Sequence, residues 1–382
     1  LLPSMSECND FAIESFGNSE KAIGLHGTDK YYCKEQLIIE AINKSKKISL
    51  DKFIYSLGIR YIGETNASIL AYEFLSIRNL IKSIQNTDLI SNVDGLGPKV
   101  VSSLQSFFSV NDNKKLIDIK SPWGNPSDKI LSFKYKGKDV NFLPRHARGH
   151  KISPSNINFR ANIDALKQLG VTDIISVSAV GSLKENLDPG TFVLVDQFID
   201  RTFARKKTFF DEEIVAHVSM AHPTSQGLSN ACEDAIKQLK IKYQSGGTYV
   251  VMEGPQFSTL AESNLYRSWN ADVIGMTNMP EAKLAREAEI RYITVAMVTD
   301  FDCWHPDHEN VDVQMVIKTL MKNAENAKSM IKLVIENFES KIMKNDPANN
   351  CLDTAIITNP KSMTKKTKNK LKNIAGRVLF KK

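Results

Sequence analysis

A short run of basic residues is the first candidate for a chemical role. Arg145, His146 and Arg148 lie close together, and guanidinium groups beside an imidazole offer positive charge and several hydrogen-bond donors to one anion. A phosphate that attacks a substrate must be held, oriented and partly desolvated, which such a cluster could do. The same composition is also typical of a basic surface loop, so both interpretations stay open on these residues alone.

Two further stretches place small or aromatic residues at the end of an apolar run. Residues 176–183 carry Ser178 and Ala179 into a turn of small residues, and residues 251–258 lead through a Gly-Pro turn to Phe257. Backbone amides and hydroxyls often meet a ligand where a strand ends, and an aromatic ring there could stack on a purine. A plain tight turn is the alternative interpretation of both stretches.

Two acidic residues end another apolar run. Asp300 and Asp302 follow residues 295–298, where carboxyl groups are poorly placed for a packed core. A carboxyl group in that place can accept a hydrogen bond from the exocyclic amine of adenine. When protonated it can donate to ring N7, which makes the base a better leaving group. The alternative is that these residues cap a helix or a loop.

Short apolar runs alternate with amphipathic segments from about residue 120 onward, and this alternation is typical of an α/β sheet domain. We predict buried strands at residues 174–177, 192–195, 249–252, 273–276 and 292–298. We predict helices at residues 155–169, 261–269, 281–289 and 313–334, the last with one apolar face that includes Leu320, Ala324, Ala327 and Val334. Several of the candidate residues lie near the ends of these strands.

The first third of the chain has a different, helical pattern. Residues 37–108 carry short apolar clusters without strand alternation, and glycine-containing turns interrupt them at residues 59–64 and 93–98. A Gly-apolar-Gly turn ahead of a helix leaves backbone N–H groups that can bind a phosphate. The same pattern is common as a plain turn, so it is weak evidence when it occurs once.

Length and composition set the outer limits. A chain of 382 residues exceeds the usual single-domain size, so two cores are expected. No apolar run is long enough to span a membrane and no signal peptide is indicated, which predicts a cytoplasmic protein with no membrane partner. The five scattered cysteines indicate neither a disulfide framework nor a zinc site. Much of the net charge of +7 lies near the C-terminus, where it favours a solvated basic helix or tail.

Six segments together resemble one family, the S-methyl-5'-thioadenosine phosphorylases among the trimeric purine nucleoside phosphorylases. The resemblance runs from about residue 121 to the C-terminus, and it is carried by residues 142–146, 152–155, 195–202, 252–258, 275–278 and 299–304. It implies an α/β fold like that of purine nucleoside phosphorylase, with a mixed sheet flanked by helices, over residues 119–382.

The resemblance also implies a role for each candidate residue. The phosphate-binding residues would be Arg145, His146, Ser178, Ala179 and Thr277. The residues that contact the nucleoside would be Met276 at the sugar, Phe257 at the base and His217, reaching from a neighbouring subunit, at the 5' position. Asp300 and Asp302 would be the catalytic residues that read adenine. Because His217 acts across subunits in the family, the resemblance implies a homotrimer.

The implied reaction is phosphorolysis of S-methyl-5'-thioadenosine to adenine and 5-methylthioribose 1-phosphate. The glycosidic bond loosens into an oxocarbenium-like sugar, which inorganic phosphate, the co-substrate, then captures. The resemblance implies no metal and no organic cofactor. The family's 6-oxopurine phosphorylases have an asparagine at the position of Asp300, because the purine O6 would face a carboxylate unfavourably, so the aspartates favour a 6-aminopurine.

The N-terminal turns carry a second resemblance. Residues 34–120, most clearly residues 49–65, resemble the helix-hairpin-helix domain of NAD-dependent DNA ligases. This implies a small all-α domain at residues 1–118, with weak, non-specific contacts to the DNA backbone through residues 49–108. The lysine nucleophile and nucleotide pocket that ligation needs are not in this stretch. A helical appendage with no DNA-binding role is the alternative.

One segment of the phosphorylase family has no counterpart in the sequence. Family members begin with a β-strand and a Gly-Gly-Ser or Gly-Gly-Thr loop that forms one wall of the phosphate site, and here the hairpin segment occupies that place. Ala147 also stands where a glycine is usual. Loss of a central strand would remove core packing. Three hypotheses therefore stay open: a working phosphorylase, a catalytically impaired fusion product, and a DNA-binding protein on a borrowed scaffold.

Overall fold

The chain forms two compact units, Leu1–Lys114 and Lys115–Lys382. A computed structural model describes residues 48–84, 87–108, 114–306, 313–339 and 343–380. The second unit begins just ahead of the predicted boundary between residues 118 and 119, because Lys115–Ile117 is a strand, β1, that pairs with the strand after it. We call Lys115–Lys382 the phosphorylase unit, after the family that its sequence resembles, and describe the two units separately.

The described part of the first unit consists of short helices. They are α1 (Leu50–Ser56), α2 (Glu64–Phe74), α3 (Ile77–Ile84), α4 (Thr87–Ser91) and α5 (Pro98–Phe108). One side chain from each helix is fully buried and together they form the centre of a core: Ile54, Leu70, Leu80, Ile90 and Leu104. The predicted helical segment is thus found, although its first part, residues 37–47, lies outside the described residues.

Both predicted hairpins of the first unit form. Gly58 and Tyr61, between α1 and α2, have positive φ values of 60° and 67°, and Gly95, ahead of α5, has a φ of 86°. Glycine adopts such angles without steric cost, which explains how the chain turns sharply before each second helix. Two helix, tight turn, helix units result.

A small antiparallel sheet opens the phosphorylase unit. It contains β1, β2 (Ile130–Tyr135) and β3 (Lys138–Phe142), in that order. The strand that directly follows the first unit therefore lies at the edge of this small sheet, and it is not one of the strands of the large sheet. Arg145 and His146 follow β3 directly.

A seven-stranded mixed sheet is the centre of the phosphorylase unit. Its strands are β4 (Asp173–Ser182), β5 (Phe192–Val195), β6 (Gln197–Asp200), β7 (Tyr243–Ser245), β8 (Thr248–Val251), β9 (Val273–Gly275) and β10 (Arg291–Asp300). The order is β6-β8-β9-β4-β10-β5-β7, with β4 parallel to β10 and antiparallel to β9. Every predicted strand is present and the predicted α/β class is confirmed. β4 is longer than predicted because it pairs with β10 along nearly its whole length.

Helices flank this sheet. They are α6 (Phe159–Gln168), α7 (Gln226–Gln238), α8 (Leu260–Ser268), α9 (Asn278–Glu287), α10 (Val313–Asn337), α11 (Lys365–Lys370) and α12 (Lys372–Leu379). The helix predicted at residues 155–169 starts later, since Pro154–Asn156 forms a 3-10 turn. The Asn158 side chain then caps α6 by accepting a hydrogen bond from the Ala161 amide at 3.1 Å.

The long helix α10 confirms the helix predicted at residues 313–334, but only part of its apolar face is correct. Ala327, Met330 and Val334 are buried against the sheet. Leu320 and Ala324 are exposed. The buried position between them in the sequence is occupied by Asn323, whose amide donates to the Val298 carbonyl at 2.9 Å. The side chains of residues 313–318 lie outside the described part.

The C-terminal segment is packed and is not a free tail. Lys365 and Lys366 on α11 are exposed as predicted, whereas Leu371 and Ile374 are buried in the main core of the unit. The basic face is therefore the outer side of a docked helix pair. Of the described helices, none combines the length and the apolarity that crossing a membrane requires; the cytoplasmic location stays a prediction.

Candidate active site

Arg145 lies at the centre of a polar cluster over β4. One terminal nitrogen donates to the Thr277 hydroxyl at 3.1 Å and to the Glu281 carboxylate at 3.0 Å. The other donates to the Ser176 hydroxyl at 2.8 Å and to the Val177 carbonyl at 3.0 Å. The structure thus brings together two predicted phosphate residues, Arg145 and Thr277, which are far apart in sequence.

These contacts define what the cluster can offer an anion. Because each terminal nitrogen of Arg145 already has two acceptors in the protein, the arginine would act on a bound phosphate mainly through its charge. The Thr277 hydroxyl accepts from Arg145, so its own proton can be donated to another oxygen. The cluster therefore presents a fixed positive charge with a hydroxyl donor beside it.

His146 has a defined protonation pattern. Its Nδ1 lies 2.8 Å from the Ile152 carbonyl, which can only accept, so Nδ1 carries a proton. Burial lowers the pKa of His146, while the bond to Ile152 opposes that shift. In the neutral ring Nε2 is an acceptor, and it becomes a donor only when the ring is protonated. His146 is therefore suited to a phosphate that brings its own proton.

Ser178 on β4 is anchored from β8, the strand beyond β9. Its hydroxyl lies 3.2 Å from the hydroxyl of Tyr249 on β8, whose pKa burial raises to about 12. A Cβ added at Gly275 would overlap that Tyr249 hydroxyl, so a glycine is needed where β9 passes it. Ala179, the next residue of β4, has its side chain exposed.

Asp300 and Asp302 lie together at the end of β10. The Asp300 carboxyl accepts from the Asp302 amide at 2.9 Å and is 2.7 Å from the Thr299 hydroxyl. A register shift between Val298 and Asp300 turns the strand end. An added Cβ at Gly181 would lie 3.0 Å from the Asp300 carboxyl and 3.2 Å from the Asp302 Cβ. Both acids therefore pack against the end of β4.

Their surroundings favour the protonated form. Burial raises the pKa of Asp300, and burial together with the charge of Asp300 raises the pKa of Asp302. A carboxyl group that keeps its proton towards neutral pH can donate a hydrogen bond to a ring nitrogen. The direction of these shifts is compatible with the predicted role of the acids, which stays a prediction. The bond from the Asp302 amide to the Asp300 carboxyl is a local contact of the kind that the capping alternative describes.

The arginine cluster and the two acids both contact strand β4. Ser176 and Ser178 contact the arginine cluster and its tyrosine neighbour, and Gly181 contacts the acids, all on β4. A β-strand rises about 3.3 Å per residue, so roughly 10 Å separates Ser178 from Gly181. The site can therefore hold an anion near one end and a group with polar nitrogens near the other.

Three other predicted residues have different surroundings. The Met276 side chain packs on Gly254, where an added Cβ would lie 2.5 Å from its sulfur. Phe257 is 75% exposed. His217 is exposed and borders a cavity of about 280 Å³ that His222 and Arg286 also line. Within the described residues, His217 makes no contact with the other predicted site residues.

The sequence analysis missed several residues of the site. Glu281, Ser176 and Tyr292 share hydrogen bonds through the Glu281 carboxylate, at 2.8 Å to Ser176 and 2.9 Å to Tyr292. Asn278 donates to Tyr292 and to Thr294, both at 2.7 Å. The sequence signal that could have found them is the pair of polar residues Asn278 and Glu281 at the start of α9, a helix whose residues are nearly all buried. In the described part of the chain, no group of three or more His, Cys, Asp or Glu residues could hold a metal ion.

The fold and site define a class that comparison with known proteins identifies. Residues 108–336 match the phosphorylase superfamily, more than half of the chain, which therefore belongs to that superfamily. Residues 52–117 match the helix-hairpin-helix motif. The resemblance to the phosphorylases and the helix-hairpin-helix character of the first unit are thereby confirmed, whereas the likeness to DNA ligases and the predicted roles of single residues stay predictions.

The more similar relatives share one name. S-methyl-5'-thioadenosine phosphorylase of Rhodospirillum rubrum is 58% identical over 262 residues, which cover 68% of this chain and 89% of that protein. The same enzyme of Bradyrhizobium diazoefficiens is 55% identical over 265 residues, with 68% and 90% covered.

Solved structures give the same result. A methylthioadenosine phosphorylase from an antarctic soil metagenomic library matches with a TM-score of 0.66 and 47% identity, over 69% of this chain and 92% of that chain. Methylthioadenosine phosphorylase from Schistosoma mansoni, in complex with adenine, matches with a TM-score of 0.61 and 31% identity, over 65% and 95%.

The backbone at Ala147 is a testable feature of the site. Ala147 has a φ of 61°, a left-handed conformation that costs a residue with a Cβ about 1–2 kcal/mol and glycine much less. We expect Ala147→Gly to raise the Tm by about 2–4 °C, since the relief exceeds the added entropy of the unfolded chain. Calorimetry of the full chain measures this.

The matched control is Ala161→Gly, in the buried interior of α6. There the same exchange should cost about 1 kcal/mol, because glycine is a poor helix former. If Ala147→Gly lowered the Tm as much as Ala161→Gly, the strain assigned to Ala147 would be wrong.

Proposed function

We propose that the chain catalyses phosphorolysis of S-methyl-5'-thioadenosine to adenine and 5-methylthioribose 1-phosphate. The observation that carries the proposal is the arrangement along β4, with the Arg145 and Thr277 cluster towards one end and the partly buried Asp300 and buried Asp302 at the other. The names of the most similar relatives support the same substrate. Inorganic phosphate is the co-substrate, and the proposed reaction draws on no metal or organic cofactor.

In the proposed mechanism, each group acts at one atom. Protonated Asp300 donates to purine N7 and the neighbouring acid accepts from the exocyclic amine, so electron density moves from the glycosidic bond into the base. The phosphate, held by Arg145, His146, Ser178, Ala179 and Thr277, stabilises the cationic sugar and bonds to its anomeric carbon. Met276 lies against the sugar and Phe257 beside the base.

The test is phosphate-dependent release of adenine by the purified full chain. We expect faster turnover of methylthioadenosine than of inosine. Asp300→Asn should lower kcat/KM for methylthioadenosine by about 10²–10⁴-fold, the usual contribution of a general acid. The matched control is Asp188→Asn, because Asp188 is an exposed partner of Lys242 outside the site, and it should leave turnover unchanged.

Each contrary result has a distinct meaning. Faster turnover of inosine would overturn the substrate. No turnover by a folded wild-type chain would favour the catalytically impaired fusion product, in which the family's first strand and glycine loop are lost.

We further propose that the site is completed in a homotrimer. Two observations support this. Among the described residues, His217 has no hydrogen bond or ion pair with the other predicted site residues, and large aromatic side chains are exposed, with Phe257 75% and Phe203 82% exposed. A neighbouring subunit could cover these rings and supply His217 to the 5' position.

Complementation tests the shared site. His217→Ala and Asp300→Ala should each inactivate the homotrimer. When the two variants are co-expressed in equal amounts, about a quarter of the sites in random trimers combine an intact Asp300 with an intact neighbouring His217. We expect activity to return towards that fraction. Activity that stayed at the level of the separate variants, in mixed trimers shown by mass measurement, would mean that His217 does not act across the interface.

A second candidate function is weak binding of the DNA backbone by the first unit. The match to the helix-hairpin-helix motif supports it, as do exposed basic side chains near the hairpins, Lys52, Arg60 and Lys99. Backbone amides at the two hairpins would contact phosphates, and these side chains would add sequence-independent attraction.

Filter binding of duplex DNA to the full chain at low salt measures this. We expect retention that weakens as salt rises, and Arg60→Ala with Lys99→Ala should weaken it further and reduce the salt dependence. The control pair is Lys365→Ala with Lys366→Ala on α11, which should leave binding unchanged. No retention by the wild type, or an effect of the α11 pair alone, would rule out binding by the hairpins and favour a helical appendage.

A further inference from the structure

Arg205 is a buried cation that no proposed step uses. Its side chain is 1% exposed, and a charge so far from water needs several partners. One terminal nitrogen donates to the carbonyls of Met276 at 2.5 Å and Met279 at 2.7 Å, and the other donates to the carbonyl of Glu253 at 2.6 Å. The guanidinium therefore joins the segment after β8 to the segment after β9.

Glu253 holds the other side of the same contact. Its carboxylate accepts from the amides of Phe203 at 2.6 Å and Ala204 at 3.3 Å, from the Ser155 hydroxyl and from the Arg205 side chain at 3.4 Å. These hydrogen bonds lower the pKa of Glu253 although burial opposes the shift. The segment with Arg205 and the segment with Glu253 thus each bind the backbone of the other through a side chain.

The paired contacts of Arg205 and Glu253, which we call the clamp, reach the phosphate cluster through one peptide group. In a trans peptide the carbonyl and the following N–H point in opposite directions. With the Met276 carbonyl held by Arg205, the Thr277 amide of the same peptide group points away from Arg205. The hydroxyl of Thr277 accepts from Arg145 at 3.1 Å. Arg205 is therefore separated by a single peptide group from a residue assigned to phosphate.

We propose that Arg205 is a positioning residue that fixes the Met276–Thr277 peptide, and through it the sugar and phosphate contacts of the site. The inference rests on the proposed function for its kinetic consequence, whereas the clamp itself does not. Lysine keeps the charge but has one nitrogen in place of the planar fork of arginine, so it cannot reach the same carbonyls on both segments.

The experiment compares Arg205→Lys with Arg291→Lys in the full chain. Arg291 is a matched control, since it is also largely buried and pairs with Asp173 at 2.6 Å at the opposite end of β10. Hydrogen exchange of peptides spanning residues 275–279 reads the clamp without turnover. Steady-state kinetics then gives KM for phosphate and for methylthioadenosine, and kcat, at a temperature where both variants are folded.

For Arg205→Lys we expect at least tenfold faster exchange at residues 275–279, and KM values for both substrates raised about tenfold or more. The control should change neither, even if it lowers the Tm. Exchange and KM values like those of Arg291→Lys would overturn the proposal. Faster exchange in Arg205→Lys, together with no turnover by the wild-type chain, would keep the clamp and reject the function.

Glu253→Gln provides a second variant in case Arg205→Lys does not fold. The substitution keeps the shape of the side chain but weakens its hydrogen bonds to the amides of Phe203 and Ala204. Exchange at residues 275–279 and both KM values should therefore rise as in Arg205→Lys, but by a smaller factor. Unchanged exchange at residues 275–279 in a folded Glu253→Gln chain would equally overturn the proposal.

Discussion

The parallel pairing of β4 with β10 is the constraint on which the rest of the phosphorylase unit depends. It continues from Arg291 opposite Asp173 to Asp300 opposite Gly181, and β10 is buried along nearly its whole length. This register places the end of β10 beside the end of β4, while the other edge of β4 faces β9 and the segment with Thr277. A shift of one residue would turn the side chains of either strand to the other face. The anion-binding and base-binding groups would then no longer share one side.

Much of the fold and part of the site could be predicted from the sequence. Buried strands appear as continuous apolar runs, and polar residues such as Asp300 and Ser178 stand out because they follow such runs. Contacts between distant segments give no such local signal. Arg205 appears in the sequence as one of several basic residues, and its burial depends on carbonyl groups supplied by the segments that follow β8 and β9. The buried face of α10 was mistaken for a similar reason, since the Val298 carbonyl that Asn323 binds is known only once the helix has docked.

The first unit and the phosphorylase unit differ in how their cores are built. The first unit buries apolar side chains from each of its short helices in a small core, and its hairpins include Gly58 and Gly95 at positive φ. The phosphorylase unit begins with an edge strand of a small sheet where its relatives are expected to contribute a central strand and a glycine loop. Arg145 joins Thr277 to Ser176 and Val177 of β4 by hydrogen bonds, so the described residues connect this wall of the site among themselves.

The raised pKa values of Asp300 and Asp302 also bear on how an anion enters the site. Two ionised carboxylates beside the pocket would oppose a phosphate as it approached, and the repulsion would be strong where water is excluded. Burial raises the pKa of both acids and so weakens this repulsion as the pH falls towards their raised pKa values. In the proposed reaction, the burial that favours a proton on the acids would therefore also favour entry of the phosphate nucleophile.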